Sequence, residues 1–212
     1  MLTVAELFLS RSGSKYLTNI NHINNLKSIM DNGLLCHEMS QEIMHESIAM
    51  ESVQNRRASI RVPNGLYLHQ YASLYFAPRN PMMFYLKCNG DINQVCVLLV
   101  SPEVLDWEGT VVTDGNAASE ITRFYAPKEG ISKSDFQQIK ATYWTDLNPI
   151  TQDEKKRVKC AEILVPWKIP PEEIVGVVVP NETVQKRLLA DGFDKRIYIY
   201  PQTFFLQGGE QF

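Results

Sequence analysis

The residue in this chain whose placement most suggests chemistry is Glu162, set in the run Cys160-Ala-Glu-Ile-Leu-Val165. A carboxylate among apolar strand residues is costly to bury unless it is paired or hydrogen-bonded. Strand alternation could instead aim it at solvent, so a structural and a functional reading both fit. Arg56-Arg57 reads either as a solvated pair at a helix end or as one arm of a site, because guanidinium is well shaped to clamp a diphosphate. Tyr75-Phe-Ala-Pro-Arg-Asn-Pro-Met-Met-Phe-Tyr85 combines two prolines, Arg79 and flat or soft apolar groups, which makes a rigid bend or ordinary core. Thr113-Asp-Gly-Asn-Ala117 is a polar turn. Asn19-Ile-Asn-His22 alternates along an extended stretch, where a lone histidine such as His22 is commonly structural.

The elements that must position these groups belong to one globular domain. The chain has 212 residues, 44% hydrophobic and 21% charged, enough for a sizeable core. Apolar spacing at Ile23, Leu26, Ile29 and Met30 predicts a helix over 23–33, with Asn24 as cap and Gly33 as stop. The polar stretch 40–61 reads as helix followed by loop, closed by the turn Pro63-Asn64-Gly65. Strands are expected at 74–76, 94–100, 161–165, 174–179 and 195–200, and further helices at 134–144 and from an Asn181 cap to Ala190. Strands joined by connections of uneven length indicate an α+β fold rather than a βαβ repeat. The absence of Gly-x-Gly-x-x-Gly after a strand leaves a Rossmann site unsupported. Residues 1–15 and 206–212 are expected to fray.

Several classes are excluded. No run approaches the ~20 apolar residues of a membrane span, and the start lacks the basic region of a signal peptide, so the sequence reads as soluble, cytoplasmic and without a membrane partner. The four cysteines are scattered, with no metal-ligand spacing, so no metal is expected. A net charge of −3 and a pI of about 5.8 argue against coating nucleic acid by bulk charge.

The ordered set His22-Ile-Asn-Asn-Leu-Lys-Ser-Ile with Gly33-Leu34, Gln54-Asn-Arg-Arg57, Leu68-His69 with Tyr71, Tyr75-Phe-Ala-Pro-Arg-Asn-Pro-Met82, Thr113-Asp114 and Ala161-Glu-Ile-Leu-Val165 resembles the DarT family. These are DNA-base ADP-ribosyltransferase toxins of bacterial toxin–antitoxin systems, and the likeness runs from about residue 16 to residue 205. The resemblance implies an ADP-ribosyltransferase fold, a split mixed sheet with NAD in a central cleft and single-stranded DNA at its mouth. It implies Glu162 as the catalytic carboxylate and Arg57 as its partner. Asn19, Asn21, His22, Arg56, Tyr75 and Met82 map to NAD binding, and Tyr71, Arg79, Thr113 and Asn116 to the substrate. Phe124 and Tyr125 are further candidates for base stacking or for core packing. Many family members carry His at the positions of Asn19 and Asn116, and both changes keep hydrogen-bonding capacity. Ala72-Ser73, Arg79-Asn-Pro-Met-Met83 and Asn116 resemble the guanine-modifying branch more than the thymine-modifying one. A cognate antitoxin of the ADP-ribosyl hydrolase type is implied as partner. An enzyme acting on RNA or protein, and an inactive NAD- or strand-binding module, are the competing readings.

Overall fold

The computed structural model describes residues 2–63 and 65–207. In chain order its elements are α1 (Val4–Ser12), β1 (Leu17–His22), α2 (Leu26–Asn32), β2 (Leu34–Leu35), α3 (His37–Ser40), α4 (Glu51–Ala58) and β3 (Tyr71–Tyr75). There follow α5 (Pro81–Asn89), β4 (Val95–Val100), β5 (Val111–Thr113), β6 (Phe124–Tyr125), α6 (Pro127–Lys133), α7 (Phe136–Lys140) and α8 (Pro149–Lys159). The chain closes with β7 (Glu162–Pro166), β8 (Lys168–Ile169), β9 (Ile174–Val179), α9 (Glu182–Ala190) and β10 (Arg196–Ile199).

Eight strands form one mixed sheet in the order β10-β9-β4-β1-β3-β7-β5-β6, and β2 pairs with β8 apart from it. Among the described residues, only β9 and β10 run parallel. β4 is buried along its whole length, as its unbroken Val-Cys-Val-Leu-Leu-Val run requires of a strand covered on both faces. The main core gathers Phe8, Leu17, Leu74, Leu98, Ile163 and Val177.

The sheet is open at its middle. β1 matches β4 at six positions and β3 matches β7 at five, but β1 and β3 share only Thr18 with Tyr75. Backbone carbonyls along such a split need other donors, because an unpaired buried carbonyl costs about as much as a lost hydrogen bond. Side chains supply them: Thr18 Oγ1 donates to the Tyr75 carbonyl at 2.9 Å, and Asn19 Nδ2 to the Ser73 carbonyl at 3.0 Å. The split is thereby held open as a cleft, the arrangement expected of a split mixed α+β sheet.

The expected elements at 174–179 and 182–190 appear as β9 and α9, with Asn181 accepting the Val184 amide. Other expectations need correction. Residue 1 lies outside the described residues, but residues 2–15 do not fray: α1 is closed by a Thr3–Glu6 capping box and a left-handed Gly13, and it buries Phe8 completely. Of the tail, residues 208–212 lie outside the described residues, while Leu206 packs on a second apolar cluster. The bend at 78–81 is the start of α5, with Asn80 capping Met83 and Pro81 in the first turn, where its missing N–H costs nothing. The helix expected over 134–144 shortens to α7, and α8 begins at another Asn-Pro pair, Asn148-Pro149. His22 rather than Asn24 caps the turn before α2, accepting from the Asn24 amide at 3.2 Å.

Gly33 ends α2 at φ 89°, and a Cβ there would lie 2.5 Å from the Ile169 carbonyl oxygen. Both backbone conformation and space demand glycine where β2 approaches β8. Gly33→Ala should cost about 2 kcal/mol and lower the melting temperature by roughly 4–8 °C. An unchanged melting temperature would show that this close approach does not exist.

Candidate active site

Glu162 opens β7 opposite Tyr75 of β3, on the edge of the split. Thr113, the last residue of β5, accepts the Glu162 amide on its hydroxyl oxygen at 2.8 Å and donates that hydroxyl to the Gly115 carbonyl at 2.7 Å. The strand thus starts at a fixed point, and its first residue, Glu162, is only 1% exposed.

The buried carboxylate is matched. Arg57 Nη1 lies 3.1 and 3.0 Å from the two Glu162 oxygens, and the Ala117 amide donates to Oε1 at 2.8 Å. Arg57 uses its other arm on the Ser73 hydroxyl at 2.8 Å. Removing one member of such a pair leaves an uncompensated buried charge, at a cost of about 3–5 kcal/mol. A carboxylate offers roughly four acceptor positions, so Oε2, which meets Arg57 alone, keeps capacity for a hydroxyl.

Glu162 and Arg57 sit in the wall of a cleft of about 390 Å³, within the ~300–1,000 Å³ range of small-molecule sites. Asn19, Asn21, Tyr71, Tyr75, Met82 and Asn116 share that lining. Three asparagines are linked along one wall. Asn21 Nδ2 donates to Asn19 Oδ1 at 3.0 Å, and Asn25 Nδ2 donates to Asn21 Oδ1 at 2.9 Å. Asn25 also holds residue 46 at both ends, donating to the Glu46 carbonyl at 2.9 Å and accepting its amide at 2.8 Å. The segment 41–50 is therefore tied down as the opposite wall, where Ile43, His45, Ile48 and Met50 face the cleft.

Tyr75 donates to Met82 Sδ at 3.3 Å. Burial, followed by the charge of Glu162, pushes its phenol well above the ordinary value of 10, so it stays a neutral donor. Burial likewise drives the Cys160 thiol, also in the lining, up to about 12. That thiol is protonated and unreactive at neutral pH.

Four expected site residues lie outside the cleft lining. His22 caps the turn before α2. Arg56 points outward from the last turn of α4, because it is one residue, or about 100°, round the helix from Arg57. Arg79 donates to the Gln202 carbonyl and stacks over Phe205, 3.8 Å from its ring centroid. Thr113 stands behind Glu162 and sets its backbone. None of these four presents itself to a ligand in this cleft.

Sequence reasoning quoted Asn25, Ser73, Ala117 and His69 only within longer motifs, without a contact in the site, and passed over His37 and His45. His37 and His69 stack with centroids 4.1 Å apart, and His69 Nε2 meets Gln54 Oε1 at 3.1 Å. Three of the chain's four histidines, His37, His45 and His69, line the cleft. Their crowding into 33 consecutive positions was the available signal. Burial first, then His45 and Arg57, lowers the pKa of His37 below 6.5. For His69 the order is burial, His37 and Arg57, with the Gln54 bond and Glu38 acting the other way.

Both imidazoles are therefore favoured neutral in the folded state, and the unfolded chain binds their protons more readily. Their contribution to stability is complete above the unfolded value of 6.5 and is lost as pH falls below it. The melting temperature should drop between about pH 7.5 and pH 5.5, and His37→Gln should shallow that slope. An acid slope identical in the variant would rule the pair out as its source.

The comparisons agree with the geometry. A family model described as "ssDNA thymidine ADP-ribosyltransferase, DarT" matches residues 18–205. The DNA ADP-ribosyl transferase of Thermus sp. strain 2.9 is 33% identical over 181 residues, which span 81% of this chain and 84% of that protein. A DNA ADP-ribosyl transferase–DNA ADP-ribosyl glycohydrolase fusion protein of Thermosipho africanus is 31% identical over 194 residues, 88% of this chain. The match spans about half, 48%, of the fusion's length. Among solved structures, Thermus sp. 2.9 DarT in complex with ADP-ribosylated ssDNA superposes with a TM-score of 0.77 at 28% identity, over 90% of this chain and 96% of that one. Thermosipho africanus DarTG in complex with ADP-ribose gives 0.81 at 28% identity, over 91% and 52%. With a family match across nearly the whole chain and a buried Glu–Arg pair at the mouth of a split sheet, this protein belongs to the DarT family.

Proposed function

We propose that this chain transfers ADP-ribose from NAD to a base in single-stranded DNA and releases nicotinamide. The observation that carries this reading is Glu162: a buried carboxylate fixed by Arg57 and the Ala117 amide, with acceptor capacity left on Oε2, at the edge of a cleft of suitable size. The lining fits the group. Neutral amides at Asn19, Asn21 and Asn25 suit ribose hydroxyls and a carboxamide, and Tyr75, Met82 and Tyr85 offer apolar faces to a ring. A Thermus homologue has been solved in complex with NAD+.

Cleavage of the nicotinamide–ribose bond develops positive charge on the ribose. A carboxylate held against the ribose 2′-hydroxyl stabilises that charge more in the transition state than in the ground state. Glu162 fills this position without reorganising, since Arg57 and Ala117 already hold it. The accepting nitrogen loses a proton as its new bond to the ribose forms, and Glu162 is the base that takes it. Arg57 orients Glu162 through one arm and Ser73 through the other; with both arms occupied it acts on the carboxylate rather than as a free diphosphate clamp. Asn116, whose Oδ1 accepts the Ala118 amide at 2.8 Å, has its NH2 end available to a base carbonyl.

A base inside a duplex hides its edge, so single strands are the accessible substrate, recognised by stacking and edge hydrogen bonds rather than by bulk charge. We take guanine as the acceptor from the residues at 72–73, 79–83 and 116. The description of the matching family favours thymidine, so both bases belong in the assay. The Thermosipho fusion protein carries a glycohydrolase beside its transferase, which supports a toxin role with a separate ADP-ribosyl hydrolase as antitoxin. DNA and NAD as substrates point to work in the cytoplasm.

The purified protein is to be incubated with NAD and oligonucleotides containing guanine or thymine as the only modifiable base. RNA and protein acceptors are run beside them, and product mass and nucleosides are measured. DNA should gain one ADP-ribose. Glu162→Gln should lower the rate about a thousand-fold while retaining NAD binding. A folded Glu162→Gln within tenfold of the parent would end the assignment.

A further inference from the structure

Arg157 stands in the last turn of α8, five residues before Glu162, and does not line the cleft. Its guanidinium is nevertheless spread over the back of the turn that contacts Glu162. Nη1 donates to Asp114 Oδ1 at 2.8 Å and to Thr122 Oγ1 at 3.2 Å, so one nitrogen clips the two ends of the 113–123 segment together. On the outer side, Nε and Nη2 donate to Glu154 Oε2 and Oε1 at 2.8 and 2.7 Å. The Arg157 carbonyl accepts the Asn116 amide at 3.0 Å, and Thr122 Oγ1 donates to the Asn116 carbonyl at 2.7 Å. Its side chain is 13% exposed, unlike an ordinary surface ion pair. A Cβ on Gly115 would lie 2.8 Å from Arg157 Cγ and closer still to Nη1, so glycine is what lets the guanidinium lie flat on the turn.

The other side of the same turn faces the reaction. Ala117 gives its amide to Glu162 Oε1, and Asn116 enters the cleft lining. We propose that Arg157 is a positioning residue for base transfer: it fixes the 113–123 turn so that the Ala117 amide meets the Glu162 carboxylate and Asn116 meets the acceptor base. The inference rests on Glu162 acting as the catalytic carboxylate. A preorganised donor loses its worth when displaced by as little as 1 Å, and the Arg157 guanidinium is the group that ties Asp114 to Thr122 across this turn.

The test compares Arg157→Ala, Arg157→Lys, Thr122→Val and Glu154→Gln in steady-state transfer to a single-stranded oligonucleotide, with kcat, KM for NAD and melting temperature measured for each. Arg157→Ala should lower kcat about 10- to 100-fold with KM for NAD changed less than about threefold. Lysine should not restore it, because a flexible ammonium lacks the fixed planar geometry that seats Nη1 between Asp114 and Thr122. Thr122→Val, nearly equal in volume, should lower kcat about tenfold in a folded protein, which keeps the proposal testable if Arg157→Ala does not fold. Glu154→Gln, on the outer side, should stay within about twofold. Unchanged kcat in folded Arg157→Ala or Thr122→Val overturns the proposal. So does full rescue by lysine, a loss confined to KM, or an equal loss in Glu154→Gln. Glu162→Gln assayed alongside separates the two failures. If it remains active, the underlying reading is wrong; if it is inactive while the Arg157 and Thr122 variants are not, only the positioning role fails.

Discussion

The buried pairing of Glu162 with Arg57 is the constraint around which the rest of the molecule is arranged. Bringing two charges out of water costs several kcal/mol per ion, and the attraction between them repays this only when geometry and further hydrogen bonds are good. The partners that make it good come from distant parts of the chain: Arg57 is 105 residues from Glu162, and Ala117 is 45 residues from it. Helix α4, strand β3 through Ser73, and the turn after β5 must all converge on the start of β7. The carboxylate can be buried and hydrogen-bonded in this way only in the completed fold, which ties whatever chemistry it performs to the integrity of the whole sheet.

The second constraint is the split itself. A continuous sheet would satisfy its own backbone and leave no room for a ligand; a split one creates room and leaves polar groups to be satisfied. Thr18 and Asn19 answer this for β3, and the amides of Asn21 and Asn25 extend the solution to the 41–50 wall. Asparagine suits the task because it offers donor and acceptor together and carries no charge at any pH. The cleft's neutral polar wall is thus the by-product of closing the hydrogen bonds of an opened sheet.

How much of this was legible in the sequence follows from the range of the interactions. Local signals were enough for β9, for α9 with its Asn181 cap, and for the buried run of β4, since each is specified within a dozen residues. Glu162 could be singled out because a charge in an apolar strand is anomalous in local terms. Arg57 came as its partner through the family resemblance, but the rest of the surroundings could not be read: Ala117 contributes a backbone amide to Glu162, which no side-chain identity announces, and Ser73, which holds Arg57, and Asn25, which holds Asn21 and residue 46, are ordinary polar residues until the fold places them. Of the adjacent arginines, the family resemblance points to Arg57 as the partner, and helical rotation gives the physical reason, since it turns Arg57 inward and Arg56 outward. Arg79 misled because Pro-Arg-Asn-Pro resembles a ligand-binding bend, whereas Asn80 and Pro81 are helix-start chemistry and the Arg79 guanidinium is occupied by Phe205 and the Gln202 carbonyl.

Helix α8 links these features mechanically. Residues two apart on a helix point about 200° from each other, so Arg157 and Lys159 leave the same turn in opposite directions. Arg157 grips the turn that contacts Glu162, while Lys159, 1% exposed, donates to the Ile139 and Ala141 carbonyls at 2.9 and 2.6 Å beneath the face of Trp144. Burial lowers the pKa of the Lys159 ammonium from its ordinary value to about 8, and two carbonyls and an indole face surround it. Lys159 moors α8 to the end of α7 and Arg157 holds the turn that contacts Glu162, with the strand bearing Glu162 beginning three residues after Lys159. Displacement of the helix at either anchor would be felt at the carboxylate, which makes α8 a strut between the α7 region and the site.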